Sequence, residues 1–225
     1  MNSVNDIILY ATIAFNNDVK KEITRRKNKL RTCFMKKLLK LILILSLTLC
    51  LGFKQNIIKC EIETSLGNIL IELYPDKAPI TVSNFLKYVD NGLYDNSSFF
   101  RVCTPQNEAD RQIKIEVIQG GNIDESKSYP PIKLENTSLT GIKHLNGTIS
   151  MARSEPNTAT SQFFICINDQ PELDYKGNRN PDGQGFAAFG KVIEGMDVVL
   201  KIQQQKNKDQ YLINPILIKT IKRIE

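Results

Sequence analysis

The sequence predicts a mainly β domain, with short strands folded into a barrel or sandwich and helices at its ends, behind an N-terminal leader of different character. Three observations predict it. About eight short apolar segments punctuated by turn residues follow Ile57, two helical patterns stand far apart among them, and basic charge is concentrated before Gln55. Many short strands with few helices favour a capped barrel over a helix-rich layered fold, although propensity alone leaves sandwich and barrel unresolved.

The elements follow in order. Ile57 to Thr64 alternates Ile58, Cys60 and Ile62 against Lys59, Glu61 and Glu63, the period-2 pattern of a half-buried strand. Ser65-Leu66-Gly67-Asn68 turns it into a second strand, Ile69 to Leu73, so the pair reads as a hairpin. Tyr74-Pro75-Asp76-Lys77-Ala78-Pro79 breaks the sheet, after which Val82, Phe85, Leu86 and Val89 fall at helical spacing until Gly92 supplies a stop. Strands are expected around Phe99 to Val102, Ile115 to Gln119, Gly147 to Ala152, Gln162 to Ile167 and Ala187 to Ile193. A short helix carrying Met196, Val199 and Leu200 precedes a last strand from Pro215 to Ile224. Thr104 to Lys114 and Tyr175 to Gly185 read as loops, the second rich in Gly, Asn, Asp and Pro.

The chain has 225 residues, 41% of them hydrophobic, enough for one globular domain with appendages. Met1 to Lys54 carries eleven Lys or Arg against Asp6, Asp18 and Glu22, a net of +8, which leaves −2 for the rest of a +6 chain. The basic character therefore belongs to the leader, and nucleic-acid binding is not implied. Within the leader, Met35-Lys36-Lys37 precedes an apolar run from Leu41 to Phe53. Thirteen residues of helix span about 20 Å, short of a hydrocarbon core of roughly 30 Å. This is the pattern of a signal peptide over residues 35–54, with a signal anchor as the alternative. Residues 1–34 read as an extension upstream of a translation start at Met35. Leu47-Thr48-Leu49-Cys50 is a weak lipoprotein box, which keeps a lipid anchor at Cys50 in view. The expected location is exported, periplasmic or membrane-associated, with membrane contact only through this segment. Cys60, Cys103 and Cys166 are irregularly spaced with no CxxC pair, so neither a metal site nor a disulfide framework is expected, and Cys166 reads as a core thiol.

The chemistry-bearing residues lie on the strands. Ser98-Phe99-Phe100-Arg101-Val102, Glu116-Val117-Ile118-Gln119-Gly120-Gly121 and Thr158 to Ile167 together offer one arginine, two glutamines and several aromatics, with no nucleophile-base pair. Such a set suits rotation about a bond rather than its cleavage. An amide bond resists rotation by about 18–20 kcal/mol of resonance. A catalyst of such a rotation needs a pocket for the group beside the bond, a grip on the flanking backbone, and a donor that favours the twisted amide. Arg101, permanently charged and with a planar fork of donors, is the candidate.

These segments, from about Cys60 to the C-terminus, resemble the core motifs of the cyclophilins, the peptidyl-prolyl cis-trans isomerases. The resemblance implies an antiparallel eight-stranded closed barrel with a helix over each mouth; against compact members Thr104 to Lys114 and Tyr175 to Gly185 read as insertions, which suggest a bacterial branch of the family, and the leader an exported one. Phe99-Phe100-Arg101 looks like the family's catalytic Phe-His-Arg motif with phenylalanine in place of histidine, which implies that Arg101 is catalytic and Phe99 part of the substrate site. Gln119 matches the glutamine that orients the arginine. Gln162 and Phe164 match residues flanking the proline pocket, Ala152 and Arg153 the pair whose backbone holds the peptide, and Leu173 and Val117 two pocket aliphatics. Phe186 falls near the usual pocket histidine, Glu116 where most members carry a pocket phenylalanine, and Glu172 where many eukaryotic members carry the tryptophan that serves cyclosporin. No cofactor or metal is implied. The expected partners are proline-containing polypeptides, bound by a monomer that assists folding outside the cytoplasm.

Rival readings are weaker. The sole histidine, His144, lies in Lys143-His144-Leu145-Asn146 with no Gly-x-Ser-x-Gly elbow and reads as a loop residue rather than a hydrolase base. Gly183-x-Gly185 lacks the Lys-Ser or Lys-Thr of a phosphate loop. A peptide-binding or chaperone domain without turnover is the remaining competitor, disfavoured by Arg101, Gln119, Gln162 and Phe164 occurring together.

Overall fold

The structure, a computed structural model, describes residues 4–49 and 56–224 and falls into two units, Met1–Lys54 and Gln55–Glu225. In the first, helix α1 runs from Val4 to Leu49. The sequence marks no element before Met35. A continuous helix is possible because neither Gly nor Pro occurs between these residues. Glu22 pairs with Arg25 and Arg26 one turn on, at 3.9 and 3.1 Å, and side chains from Lys20 to Lys40 are exposed. Among the described residues no helix is long and apolar enough to cross a membrane. Cys50 and the end of the apolar run lie outside the described residues.

The second unit is a closed antiparallel barrel. Its strands are β1 (Ile58–Thr64), β2 (Gly67–Leu73), β3 (Ser97–Cys103), β4 (Val117–Gly120), β5 (Thr148–Met151), β6 (Phe163–Cys166), β7 (Ala187–Glu194), β8 (Asn207–Lys208) and β9 (Tyr211–Ile224). They pair in the order β1-β2-β7-β5-β6-β4-β3-β9, and β9 returns to β1, so eight strands close; the two-residue β8 extends a hairpin from the start of β9. The predicted hairpin turn is tighter than expected, because Thr64 already pairs with Gly67 across Ser65-Leu66. The last strand begins before Pro215, at Tyr211. Residues 212–215 have no partner on β3, so proline's missing N–H costs no bond to that strand.

Alternation puts Cys60, Ile62, Ile69, Ile71, Phe99, Ile118, Ile149, Phe163, Phe189 and Ile218 inside the barrel, where each is fully buried. Helices α2 (Pro79–Asp90) and α4 (Met196–Gln203) close it, burying Val82, Phe85, Val198, Val199 and Ile202 in the same core. Proline at the first helical position suits α2, and Ala78 before it has no capping side chain. The buried Glu135 substitutes from a distance. Its carboxylate accepts from the N–H groups of Ile80 (3.2 Å) and Thr81 (2.7 Å) and from the Thr81 hydroxyl (2.7 Å), at the end where the helix dipole favours negative charge. The helix stops at Asn91 and Gly92, the latter at φ +62°. A one-turn helix α3 (Thr137–Thr140) was not foreseen.

Candidate active site

A second, smaller apolar cluster forms apart from the barrel interior, from Cys103, Ile115, Val117, Phe164, Cys166 and Leu173, with Ala152 and Phe186 against it. It underlies a pocket of about 210 Å³ whose rim carries Arg101, Gln119 and Arg153. The strand feature that creates this separation is a bulge in β3. The register to β4 shifts between Phe99 and Arg101, so two residues that plain alternation would place on one face lie on opposite ones. Phe99 points inward, fully buried and edge-on to Phe163 at 5.8 Å between centroids. It is a core residue, which corrects its expected place in the substrate site. Arg101 is half-buried at the pocket, and Val102 resumes the inward face.

The Arg101 guanidinium is held on two sides by neutral amides. Nη1 donates to Gln119 Oε1 at 2.7 Å, and Gln119 Nε2 donates in turn to Gln162 Oε1 at 2.9 Å. On the other side Nε donates to Gln210 Oε1 at 3.0 Å, and Nη2 donates to the same oxygen. Of five guanidinium N–H groups three are thus used, and two have no partner among the described residues. The glycines after Gln119 permit close packing: a Cβ on Gly120 would lie 2.7 Å from the Phe99 ring, and one on Gly121, at φ +82°, 2.9 Å from the Ser161 carbonyl.

Val117, Ala152, Phe164, Leu173 and Phe186 all line the pocket, as does Arg153. Phe164 and Phe186 meet edge to face at 5.3 Å. The Arg153 side chain is spent on structure. It is 1% exposed, donates to the Gly185 carbonyl from Nε (2.8 Å) and Nη2 (2.6 Å), pairs with Asp182 at 2.8 Å and lies over the Phe186 ring. The same contacts hold the Asp182 carboxyl below the usual range, chiefly through the Arg153 hydrogen bonds. Gln162 stands behind Gln119 rather than in the pocket lining.

Two departures from the family pattern have structural outcomes. Glu116 turns away from the pocket to accept from Asn168 Nδ2 at 3.0 Å, and Ile115 lines the pocket instead, because Ile115, Val117 and Gln119 share the face that alternation assigns. Glu172 accepts from the backbone (2.7 Å) and side chain (2.9 Å) of Asn178, anchoring the loop 175–185. That loop is also tied to the other insertion, since Arg179 donates to both oxygens of Glu108, one at 2.9 Å, and to the Ile113 carbonyl at 2.6 Å. The Glu108 side chain is 0% exposed. Arg111, Arg179 and Asn180, all at the pocket, were missed in the sequence, as were Gln210 and Glu108. Ile115 alone had a local signal, its place in the alternation.

His144 is a loop residue but a buried one, 1% exposed. Its Nδ1 lies 2.8 Å from Asp174 Oδ1 and its Nε2 3.0 Å from Ser150 Oγ. The arrangement has the outline of a hydrolase relay, yet Ser150 is fully enclosed in β5 and no substrate reaches it. Burial pushes the imidazole pKa down, outweighing the opposing hydrogen bond and charge of Asp174. Burial alone would raise the Asp174 carboxyl, but hydrogen bonds from the His144 ring and backbone and from Lys143 bring it below its ordinary value. A neutral ring therefore donates from Nδ1 and accepts the Ser150 hydroxyl, and it stacks on Phe164, beneath the pocket. The three thiols of this unit are buried, and burial drives Cys103 up to about 11 and Cys166 well above its usual value.

The family profile described as "Cyclophilin type peptidyl-prolyl cis-trans isomerase/CLD" matches residues 59–223, nearly the whole of this barrel. The chain belongs to the cyclophilin-type peptidyl-prolyl cis-trans isomerases. A peptidyl-prolyl cis-trans isomerase of Acinetobacter baylyi is 45% identical over 147 residues, 63% of this chain and 70% of the relative. Peptidyl-prolyl cis-trans isomerase B of Escherichia coli is 38% identical over 143 residues, 62% and 80% of the two chains. Among solved structures, a cyclophilin-type isomerase of Cryptosporidium parvum superposes with a TM-score of 0.62 at 25% identity, covering 76% of this chain and 99% of that one. As a cyclophilin-type isomerase, the protein catalyses rotation about Xaa-Pro bonds, and its barrel is the family's fold.

Proposed function

We propose that this cyclophilin acts outside the cytoplasm on proline-containing segments of folding polypeptides, as a monomer, with Arg101 as the donor to the twisted amide. The observation that carries the reading is the guanidinium clamped between Gln119 and Gln210 at the rim of a pocket whose floor, Val117, Phe164 and Leu173, is apolar. As the Xaa-Pro bond rotates, resonance is lost and the proline nitrogen regains its lone pair, which a fixed N–H stabilises only in that twisted state. Neutral partners hold the arginine in place without quenching its charge, and the reacting group need not exchange a proton. All these residues come from one chain, so the site needs no second copy. The Cryptosporidium relative was also solved in the presence of the dipeptide Ala-Pro, which agrees with a proline-peptide site here. Export rests on Lys36-Lys37 and the apolar run after them.

Replacing Arg101 with alanine tests the assignment. Loss of one preorganised donor typically costs about 10²–10³ in rate, and that is the fall expected in kcat/KM, with the melting temperature little changed because the barrel rests on its apolar interior. Lysine should rescue poorly, lacking the planar fork. A folded Arg101→Ala protein turning over at the wild-type rate would overturn the assignment.

A further inference from the structure

Gln210 occupies a backbone position that its residue type disfavours. Asp209 and Gln210 form the two-residue turn between β8 and β9, with Lys208 paired to Tyr211, and both have positive φ, +49° and +75°. Glycine is the ordinary occupant of the second position of such a turn, since a β-carbon there crowds the backbone. A glutamine held in this conformation calls for a reason in its side chain.

The side chain supplies one. Gln210 Oε1 receives Nε and Nη2 of Arg101, the edge of the guanidinium opposite Gln119, while Gln210 Nε2 donates to Glu108 Oε1 at 3.3 Å. Glu108 is itself fixed by Arg179 and by the Ile115 N–H at 2.8 Å. The Val102 N–H donates to the Gln210 carbonyl at 2.8 Å, which ties the turn to the strand that carries the arginine.

We propose that Gln210 is a positioning residue for Arg101, its amide set by the buried Glu108–Arg179 pair that joins the two inserted loops. The proposal rests on the assignment of Arg101 as the donor to the twisted amide. The amide fixes the guanidinium plane while keeping the Glu108 carboxylate one residue away, so the orientation of a charged group is gained without neutralising it.

The test is a double-mutant cycle on the full chain, with Gln210→Gly, Arg101→Ala and both together, read by Xaa-Pro isomerisation of a tetrapeptide and by thermal unfolding. Glycine suits the turn, so Gln210→Gly should melt at or above the wild-type temperature while kcat falls about tenfold and KM changes less than about twofold. In the Arg101→Ala background the same change should cost less than about twofold, since its target is gone. The Arg101 Nε–H resonance should shift and exchange faster in Gln210→Gly, which loss of a merely structural turn contact would not cause. Gln210→Ala, which keeps a β-carbon in the turn, should show the same kinetic loss with a lower melting temperature. Wild-type kcat in Gln210→Gly beside a crippled Arg101→Ala would overturn the proposal, as would an equal loss in both backgrounds. A fully active Arg101→Ala protein would instead overturn the assignment beneath it.

Discussion

Between about pH 7.5 and about pH 5.5 the one side chain of this sequence that ordinarily titrates is His144, the only histidine in the chain. In the fold its ring is enclosed and neutral, with Nε2 accepting the Ser150 hydroxyl. A proton on Nε2 would displace that hydrogen and leave it seeking an acceptor in a fully buried place, on top of the cost of an enclosed charge. The folded pKa is therefore below the ordinary value, whereas the unfolded chain binds a proton at about 6.5. Below that value the unfolded state holds more protons, so stability is fully present above it and is lost as the pH falls. For one proton taken up only by the unfolded chain, the loss over these two pH units is at most about 1.4 kcal/mol. In a domain of this size that lowers the melting temperature by about 3–6 °C. The Asp174 carboxyl, also depressed, acts in the same direction but only below about pH 4, outside the window. Thermal unfolding of the wild type and of His144→Gln at the two pH values gives the measurement. The variant should be less stable throughout, having lost the stack on Phe164, but nearly indifferent to the pH change. Turnover of the wild type should stay flat over the same range, since no group expected to touch substrate titrates there. A wild type without acid loss, or a variant losing as much, would refute the account of a neutral buried ring.

Other outcomes follow from the same structure. Arg179→Ala leaves Glu108 enclosed without its main cation and should destabilise the domain by about 3–5 kcal/mol, visible in denaturant unfolding; Arg179→Ala with Glu108→Ala should recover part of that loss. Cyclosporin should inhibit weakly, because Glu172 offers no indole surface, and Glu172→Trp should tighten inhibition about five- to thirtyfold, less whatever is lost with the Asn178 anchor; no gain would show that the groove is controlled elsewhere. Cell fractionation should place the protein beyond the inner membrane without Met1 to about Lys54, and intact protein in the cytosol would overturn the proposed export.

Much of the barrel was legible because alternation and turn chemistry are local. Ile58 to Leu73 spells its hairpin within sixteen residues, and α2 is bounded by Pro79 and Gly92. Arg101 and Gln119 were marked by their likeness to the cyclophilin motifs rather than by period; they sit on neighbouring strands, and strand pairing brings them opposite one another. What sequence period could not reveal was the bulge in β3, which sends Phe99 into the core and Arg101 to the pocket. A register shift depends on how β3 meets β4 and β9 together, and no single strand's pattern contains that. Nor did any local signal mark Gln210, 109 residues from Arg101, or the meeting of Glu108 with Arg179 across the two inserted loops. Closure of the sheet decides those contacts. His144 shows the same division, since its neighbours in sequence are those of a surface loop, and only packing against Asp174, Ser150 and Phe164 makes it a buried neutral ring. Sequence carries the short-range preferences of each strand and turn, whereas the partners of a buried polar group are chosen by whichever distant segments the closed barrel brings within hydrogen-bonding reach.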